Sequence, residues 1–491
     1  MQLLPRENLT ACKSKKLPFL PFDMRQQLKT GALFVLIFVS LQLQAQVWNE
    51  SQEVHGSEYP GEPGPESPCI SAEQYEALEK TLKENYRLLG LDQKAISAMT
   101  TKFAWPLRQA NGLNDCSYFT LRNFVDQDTT PDSIRDWNCG KQTYDGHKGV
   151  DITPYPYWFY KMDNNQVEVV AAAPGTIVAK ADGNFDRNCL GFNGPLLPAN
   201  YIVIRHQDGS TARYFHMKMN SVTSKAVGQT VVSGEYLGVV GSSGISTNPH
   251  LHFEVLKTSS TSQYVDPFGG TCNASNDSSL WINQLPYIDP GILKVSVNTI
   301  SPVLPECPET ETPNEDSCFL GGESAKFYIF VRNQRAGTSA AMRILRSDGS
   351  VFNSWTKNFT DTYSRSYWGW TRTLPTETGS YMFEAAYDGE VCSKPFKINC
   401  LLTDTRKKEQ MPGTLFFPNP ISTRSAIQFE PALNGATLLI CNSQGIVVQR
   451  LTSFTGSSLP LQNMHLQPGV HCIQISDGVS GTFPVKLILT D

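Results

Sequence analysis

The sequence has little excess charge, no apolar run long enough to cross a membrane and no cysteine pair in a CxxC spacing. Its 41 lysines and arginines stand against 46 aspartates and glutamates, a net charge of -5, which argues against a general affinity for nucleic acid. The one long apolar run, residues 32–41 (ALFVLIFVSL), falls well short of the roughly 20 residues that a membrane-spanning helix needs. Bulk composition therefore names no partner.

The apolar run at residues 32–41 instead indicates a signal peptide. Arg25 and Lys29 precede the run, and the small residue Ala45 follows it where cleavage would occur. Residues 24–29 (MRQQLK) are an ordinary basic beginning for such a peptide, so we expect translation to start at Met24 and residues 1–45 to form the signal region. An uncleaved membrane anchor is the alternative.

Export would place the cysteines in a compartment where they can oxidise. Removal of Cys12 with the signal region leaves 11 of the 12 cysteines, so at least one thiol must remain outside a disulfide. The short separations of Cys392 from Cys400 and of Cys307 from Cys318 make these two pairs plausible bridges, although spacing alone does not fix connectivity.

The length of 491 residues suggests about three compact units. The first segment after the signal region is not predicted to be one of these units. Residues 46–68 are rich in Pro, Gly and Glu and predict a linker. Ser71 and Gln74 then form the pattern of a capping box, followed by apolar residues at helical spacing up to Gly90. We therefore expect residues 46–102 to hold a linker and one helix.

The remainder of the chain is predicted to be mainly β. Residues 103–270 contain short apolar segments separated by Gly, Asn and Asp, which indicates an antiparallel β-sheet domain. Residues 285–400 predict an Ig-like β-sandwich, and residues 411–491 predict a small β-sandwich. Neither later unit has clustered His, Asp or Glu, so any chemistry is expected in the first.

Three segments of residues 103–270 carry four of the eight histidines: 145–151 (DGHKGVD), 213–216 (RYFH) and 248–254 (NPHLHFE). Residues two apart on a strand share a face, so His250 and His252 should project together. Catalytic zinc commonly takes three nitrogen or carboxylate ligands and leaves a fourth position open. Each segment alone is more often a polar strand face or a hydrogen-bonded structural histidine than part of a metal site. Their joint occurrence favours a metal site.

These segments resemble the lysostaphin-type, or LytM-like, zinc endopeptidases, which cut peptide bonds in bacterial cell walls. The resemblance runs from residue 103 to residue 255 and includes HKGVD, AAAPGTIV, YIVIRH and VVGSSG leading into PHLHFE. It implies that His147, Asp151 and His252 bind one Zn²⁺, and that His216 and His250 line the site as catalytic residues. It also implies a peptidoglycan peptide or Gly-rich peptide as substrate, and we expect a monomer.

The chain departs from that family's pattern in two places. An aromatic stretch, residues 155–160 (YPYWFY), follows the first ligand segment, and a longer loop covers residues 184–198. Both leave the ligand residues intact. The aromatic stretch is equally consistent with a wall of the substrate groove and with a part of the core.

The last 80 or so residues resemble the C-terminal sorting domain of the type IX (Por) secretion system. The resemblance rests on FPNP at residues 417–420, ATLLI with SQG at residues 436–445, LQPGVH at residues 466–471 and Lys486. It implies recognition by the type IX machinery after passage through the periplasm. The expected location is therefore outside the cell or on the outer cell surface.

Two further functions fit parts of the sequence. Some LytM-like domains lack the zinc ligands and regulate cell-wall amidases without hydrolysis, whereas all three ligand positions are intact here. A cell-surface binding protein, in which residues 285–400 carry the function, is the other alternative. In addition, residues 46–101 could shield the active site until they are removed.

Overall fold

The computed structural model describes residues 53–58, 69–91, 99–194, 196–257, 263–273, 275–276, 278–400, 414–416, 421–422, 425–442, 447–462, 464, 466–476 and 482–490. Every described residue belongs to one unit, residues 52–491. The expected signal region and the start at Met24 lie outside the described residues. Among the helices that are described, none combines the length and apolar character needed to cross a membrane.

The described residues are mainly β, with two α-helices and one 3-10 turn. The strands and helices up to residue 265 are β1 (Glu53–Glu58), α1 (Ala72–Leu89), β2 (Leu107–Gln109), β3 (Phe119–Asn123), β4 (Val150–Pro154), α2 (Trp158–Asp163), β5 (Val167–Val170), β6 (Gly175–Ala181), the 3-10 turn Gly191–Asn193, β7 (Tyr201–Arg205), β8 (Thr211–Phe215), β9 (Thr230–Val231), β10 (Tyr236–Val239), β11 (Leu251–Leu256) and β12 (Tyr264–Val265).

The later strands belong to two further groups. They are β13 (Gly291–Asn298), β14 (Cys318–Phe319), β15 (Ser324–Gln334), β16 (Ser339–Arg346), β17 (Val351–Asn358), β18 (Tyr363–Thr373), β19 (Gly379–Tyr387), β20 (Glu390–Ile398), β21 (Thr414–Phe416), β22 (Ile421–Ser422), β23 (Ala426–Cys441), β24 (Val447–Pro460), β25 (Gly469–Ser476) and β26 (Thr482–Thr490).

Two sheets build the part of the chain that carries the histidine segments. The larger has eight strands in the order β3-β4-β11-β8-β7-β6-β9, with β12 beside β11, and the smaller has the order β10-β5-β2. Both pack on one apolar core that includes Val150, Leu251 and Phe253, which lie on β4 and β11. The site residues of β4, β8 and β11 are therefore carried by central, buried strands rather than by an edge.

The predicted helix is present as α1, with both hydrogen bonds of its capping box. The Ser71 hydroxyl accepts from the Gln74 backbone N–H, the Gln74 side chain accepts from the Ser71 backbone N–H, and Gly90 ends the helix at φ 65°. The buried face of α1 packs on β6, β7 and β8 of the large sheet; it consists of Tyr75, Leu78, Leu82 and Tyr86. The helix is thus a layer over that sheet.

Residues 53–58 differ from the predicted linker because they form strand β1. This strand pairs antiparallel with β18, and Gly56 lies opposite Trp368. A Cβ at Gly56 would come within 1.8 Å of the Trp368 ring, so only glycine permits this approach. Main-chain hydrogen bonds to an existing sheet, which composition does not reveal, account for the order of this segment.

Residues 291–398 and strand β1 together form two sheets, β1-β18-β15-β13 and β14-β20-β19-β16-β17, and residues 291–398 supply their shared apolar core. Residues 414–490 form a further group of strands in the order β21-β23-β25-β26-β22, with β24 beside β23. The long strand β23 pairs with β21, β24 and β25, and both of its halves contribute to one core. The β character expected for both regions is confirmed.

The aromatic stretch at residues 155–160 closes a core that the histidine-bearing part shares with the sheet of β13 and β15. The buried members of this core are Tyr155, Tyr157, Trp158, Leu293, Tyr328 and Phe330. In addition, the Tyr155 hydroxyl donates to the backbone carbonyl of Ser366 at 2.8 Å. The groove-wall hypothesis is therefore wrong for these rings, because they are buried in the contact between two domains.

Four disulfides lie among the described residues: Cys116–Cys392, Cys139–Cys272, Cys189–Cys307 and Cys318–Cys400. The two bridges expected from short spacing are wrong, because the fold brings together cysteines that are up to 276 residues apart. The first and third bridges tie the histidine-bearing part to the sandwich. Cys69, Cys441 and Cys472 are outside these disulfides, in agreement with the thiol that the odd count predicts.

The shared aromatic core predicts the effect of Trp158→Ala. Trp158 is 5% exposed, so its removal should leave a cavity and lower the free energy of unfolding by about 3–5 kcal/mol. Phe185→Ala is the matched control: its ring is 53% exposed, and its loss should cost less than about 0.5 kcal/mol. Denaturant unfolding followed by circular dichroism measures both. Similar small effects for the two variants would contradict the assignment of Trp158 to a core.

Candidate metal centre

Neighbouring strands of the large sheet bring the five candidate site residues together. Asp151 on β4 and His252 on β11 are directly paired across the sheet, and Phe215 at the end of β8 pairs with His252 from the other side. His216 therefore follows β8 at the same edge of the site. The remaining two precede strands: His147 lies in the turn before β4, and His250 lies just before β11.

The three predicted ligands face one another at short range. His147 Nε2 lies 3.2 Å from Asp151 Oδ2 and 3.2 Å from His252 Nδ1, and His252 Nδ1 lies 2.8 Å from Asp151 Oδ1. Tetrahedral zinc with bonds of about 2.0–2.1 Å would separate neighbouring ligand atoms by roughly 3.3 Å. The spacing of the three donors therefore fits a zinc ion.

The hydrogen bonds behind the rings of His147 and His252 test this fit independently. His147 Nδ1 lies 2.6 Å from the Phe124 carbonyl, and His252 Nε2 lies 3.1 Å from the Glu254 carboxylate. In each ring, the N–H that donates to this acceptor is therefore on the nitrogen that faces away from the other ligands. In the neutral rings, the two nitrogens that face each other then both carry lone pairs. Only a proton or a cation between them makes this arrangement favourable.

A glycine next to the first ligand makes the approach possible. Gly149 lies between His147 and Asp151, and a Cβ there would come within 2.7 Å of the His252 imidazole. Any side chain at this position would push the ring of His252 away from the other two ligands. The glycine of the HKGVD segment is therefore required by packing.

His216 and His250 form a second pair beside the three ligands. Their ring centroids are 4.6 Å apart. His216 Nδ1 donates to the Ser243 carbonyl at 2.6 Å, and His250 Nδ1 donates to the Asn248 carbonyl at 2.8 Å. Both rings therefore turn an unprotonated Nε2 towards the site, and that of His216 has no hydrogen-bond partner among the described residues.

Burial and neighbouring charge divide the protonation states of the site. Burial lowers the pKa of His250 to about 4, and burial with the positive charge of neighbouring histidines holds the pKa of His216 well below its usual range. Burial would raise the pKa of Asp151, but the contacts with His147 and His250 outweigh burial and keep this pKa well below normal. A charged carboxylate thus lies beside two neutral imidazoles at neutral pH.

Glu254 is a site residue to which the sequence assigned no role. Its carboxylate accepts a hydrogen bond from His252 Nε2 and forms an ion pair with Arg213 at 3.2 Å. Both side chains of the ion pair, Glu254 and Arg213, are fully buried. The Tyr75 hydroxyl of α1 also donates to Glu254. The alternation of His252 and Glu254 on one strand face was the available signal, since a ligand histidine is usually oriented by a carboxylate.

Cys69 is a second residue that sequence reasoning missed at the site. Its Sγ lies 2.8 Å from the Tyr144 hydroxyl and 3.9 Å from His250 Nε2. One potential ligand atom from each of Cys69, His147, Asp151 and His252 forms a group within 4.8 Å, and Cys69 forms another such group with His216 and His250. The odd cysteine count was the only sequence signal, and it did not indicate which thiol or where.

Known proteins resemble the same part of the chain. Residues 145–267 match the model of peptidase family M23. The chain is 33% identical over 90 residues to peptidoglycan DD-endopeptidase ShyC of Vibrio cholerae serotype O1. This alignment covers 18% of this chain and 19% of that protein. It is 47% identical over 55 residues to DD-carboxypeptidase/endopeptidase Mpg of Neisseria meningitidis serogroup B, which covers 11% of this chain and 12% of that protein.

Among solved structures, the catalytic domain of the antimicrobial peptidase lysostaphin from Staphylococcus simulans is similar, with 28% identity, a TM-score of 0.18 and coverage of 25% of this chain and 76% of that chain. The chain spans about a fifth or less of the length of the curated relatives named above. Residues 145–267, which match the family model, nevertheless contain all five candidate site residues. The chain therefore contains a LytM-like peptidase domain of family M23. Cys69 lies outside the matched residues.

The ligand assignment predicts the metal content of Asp151→Asn. The amide keeps the shape of the carboxylate but removes the charge that offsets the cation, so the variant should no longer retain stoichiometric zinc through gel filtration. Asp145→Asn, in the same segment but exposed to solvent, is the matched control and should retain it. Elemental analysis of both proteins measures the difference. Equal zinc in the two variants would rule out Asp151 as a ligand.

Proposed function

We propose that this chain is a zinc-dependent endopeptidase that hydrolyses peptide bonds in peptidoglycan cross-links or in Gly-rich peptides. The observation that carries the proposal is the convergence of His147, Asp151 and His252 in the M23-type domain: His147 Nε2 and His252 Nδ1 lie 3.2 Å apart, and each lies within 3.2 Å of one carboxylate oxygen of Asp151. The name of the related peptidoglycan DD-endopeptidase ShyC supports peptidoglycan as the substrate class. Bound zinc would polarise the scissile carbonyl and activate a water.

The two remaining histidines supply proton transfer in this proposal. His216 Nε2 and His250 Nε2 are unprotonated because each ring donates through Nδ1 to a backbone carbonyl. Either nitrogen can take the proton of the attacking water, hold it as the amide bond breaks and return it to the leaving amine. Once protonated, the same rings donate hydrogen bonds to the developing oxyanion.

The proposal predicts that His250→Ala separates metal binding from cleavage. The variant should keep its zinc, because His250 is outside the proposed ligand set, and should lose about 10²–10⁴-fold in cleavage rate. His471→Ala, on β25 of the C-terminal strands, is the matched control and should lose nothing. The assay is a mass-spectrometric inventory of fragments released from purified sacculi and from Gly-rich peptides.

Because the Cys69 sulfur also lies among the ligand atoms, the cleavage assay must compare the wild type, Cys69→Ala, and His250→Ala in the Cys69→Ala background. Zinc-loaded protein that releases no fragments either with or without Cys69 would contradict the enzyme proposal. That result would favour a non-hydrolytic regulator or binding protein.

We also propose that the chain is exported to the cell exterior or outer surface by the type IX route. The proposal rests on the resemblance of residues 411–491 to a sorting domain. These residues form β strands of their own, from β21 to β26, with their own apolar core. The core of that group does not include the site residues, which is consistent with an address that is separate from catalysis.

Deletion of residues 412–491 tests the export proposal. In a host that has the type IX machinery, the shortened protein should accumulate in the periplasm, whereas the full chain should appear outside the cell. Immunoblots of periplasmic and external fractions measure this, and a periplasmic marker protein controls for leakage. Undiminished appearance of the shortened protein outside the cell would overturn the proposal.

A further inference from the structure

The Cys69 sulfur lies at the candidate metal centre, close to the side chains of the three proposed ligands. The sulfur belongs to two groups of possible ligand atoms, in each of which all atoms lie within 4.8 Å of one another. One group contains His147, Asp151 and His252, and the other contains His216 and His250. This sulfur would thus be a neighbour of a bound metal and also of His216 and His250, the two proposed proton carriers. His216 Nε2, close to this sulfur, is buried without a hydrogen-bond partner among the described residues.

A folded element, rather than a loose tail, holds the sulfur there. The Cys69 backbone N–H donates to the Tyr144 hydroxyl at 3.3 Å, and the Tyr144 ring lies 4.3 Å from the His147 ring. Two residues further on, Ser71 caps α1, whose apolar face is buried on the large sheet. The position of Cys69 is therefore fixed by the docking of the whole helix.

Polar contacts of α1 reinforce this docking at three points. The Tyr75 hydroxyl donates to Glu254, the same carboxylate that orients His252. Gln74 Nε2 donates to the Leu197 carbonyl at 2.7 Å, and Asn85 Nδ2 donates to the Val178 carbonyl at 2.8 Å. The helix is thus connected both to the orienting carboxylate behind the proposed metal and to the sheet that carries the site.

Thiolate is a strong zinc ligand, and sites with four protein ligands are structural and closed, whereas catalytic sites keep one position for water. A cysteine fixed at the open position would therefore convert a catalytic arrangement into a closed one. All five candidate site residues are at most 3% exposed, and Cys69 and Tyr75 contact His250 and Glu254 there, so a peptide substrate cannot reach the site in this arrangement. Coordination and steric cover act in the same direction.

We propose that the Cys69 thiolate is the fourth ligand of the metal, and that the segment of residues 69–91 thereby holds the peptidase site in a latent state. This inference rests on the proposed function, because it assigns a regulator to the same metal site. Activation would require the Cys69 thiolate to leave the metal and take a proton from solvent, so that a water molecule could occupy its place while α1 moves off or is removed by proteolysis.

The proposal is tested by replacing zinc with Co²⁺ in the full-length chain and recording the absorption spectrum. Coordination by thiolate gives an intense sulfur-to-cobalt charge-transfer band in the near ultraviolet. The wild type should show this band and Cys69→Ala should lack it. The matched control is Cys441→Ala, which removes another buried cysteine that is outside the disulfides; it should keep the band.

Cleavage of sacculi by the zinc-loaded proteins supplies the second readout. Cys69→Ala should cleave at least about 10-fold faster than the wild type, equivalent to about 1.4 kcal/mol, while Cys441→Ala should match the wild type. A wild-type spectrum without the band, or with a band that survives in Cys69→Ala, would overturn the proposal whatever the activities are. Equal cleavage by the wild type and Cys69→Ala would overturn latency.

The two readouts keep this inference distinct from the proposed function. If the band is present in the wild type and absent in Cys69→Ala, but neither protein cleaves, then Cys69 is a metal ligand and the peptidase proposal fails. If both proteins cleave and the band is missing, then the peptidase proposal stands and the role of Cys69 fails.

Discussion

Two imidazole nitrogens and one carboxylate, all buried, converge on a single point between β4 and β11. His147 and His252 are each fixed by a hydrogen bond on the far side of the ring, to a backbone carbonyl and to Glu254. Their lone pairs therefore meet beside the charge of Asp151, an arrangement that is costly without a cation and favourable with one. The chemistry proposed for the chain depends on this constraint, as does the role assigned to Cys69.

The surrounding fold can be understood as the support for that convergence. Asp151 and His252 are paired across adjacent antiparallel strands, so their relative position is set by main-chain hydrogen bonds. Gly149 lets the ring of His252 pass close to the backbone of its neighbour. The ion pair of Glu254 with Arg213 keeps the orienting carboxylate charged inside the core, because burial alone would raise its pKa, whereas its contacts with His252 and Arg213 outweigh burial and lower the pKa. The strand pairing, the glycine and the ion pair thus each help to hold the proposed ligands in position.

Local sequence patterns predicted much of this arrangement. The period-two placement of His250 and His252 indicated a shared strand face, and the capping box at Ser71 indicated the start of α1. What could not be predicted was contact between segments far apart in the chain. Spacing did not indicate that Cys116 pairs with Cys392, that residues 53–58 add a strand to the sandwich, or that the aromatic stretch is buried between two domains. Cys69 belongs to the same class, because only the docking of α1 brings its sulfur to the histidines.

The position of the metal itself is the most direct test of the account. Crystals of the zinc-loaded full chain, measured on both sides of the zinc absorption edge, should give one anomalous peak within bonding distance of His147 Nε2, Asp151 and His252 Nδ1. A peak elsewhere, or a zinc-loaded crystal in which these three side chains point away from the ion, would contradict the proposed centre.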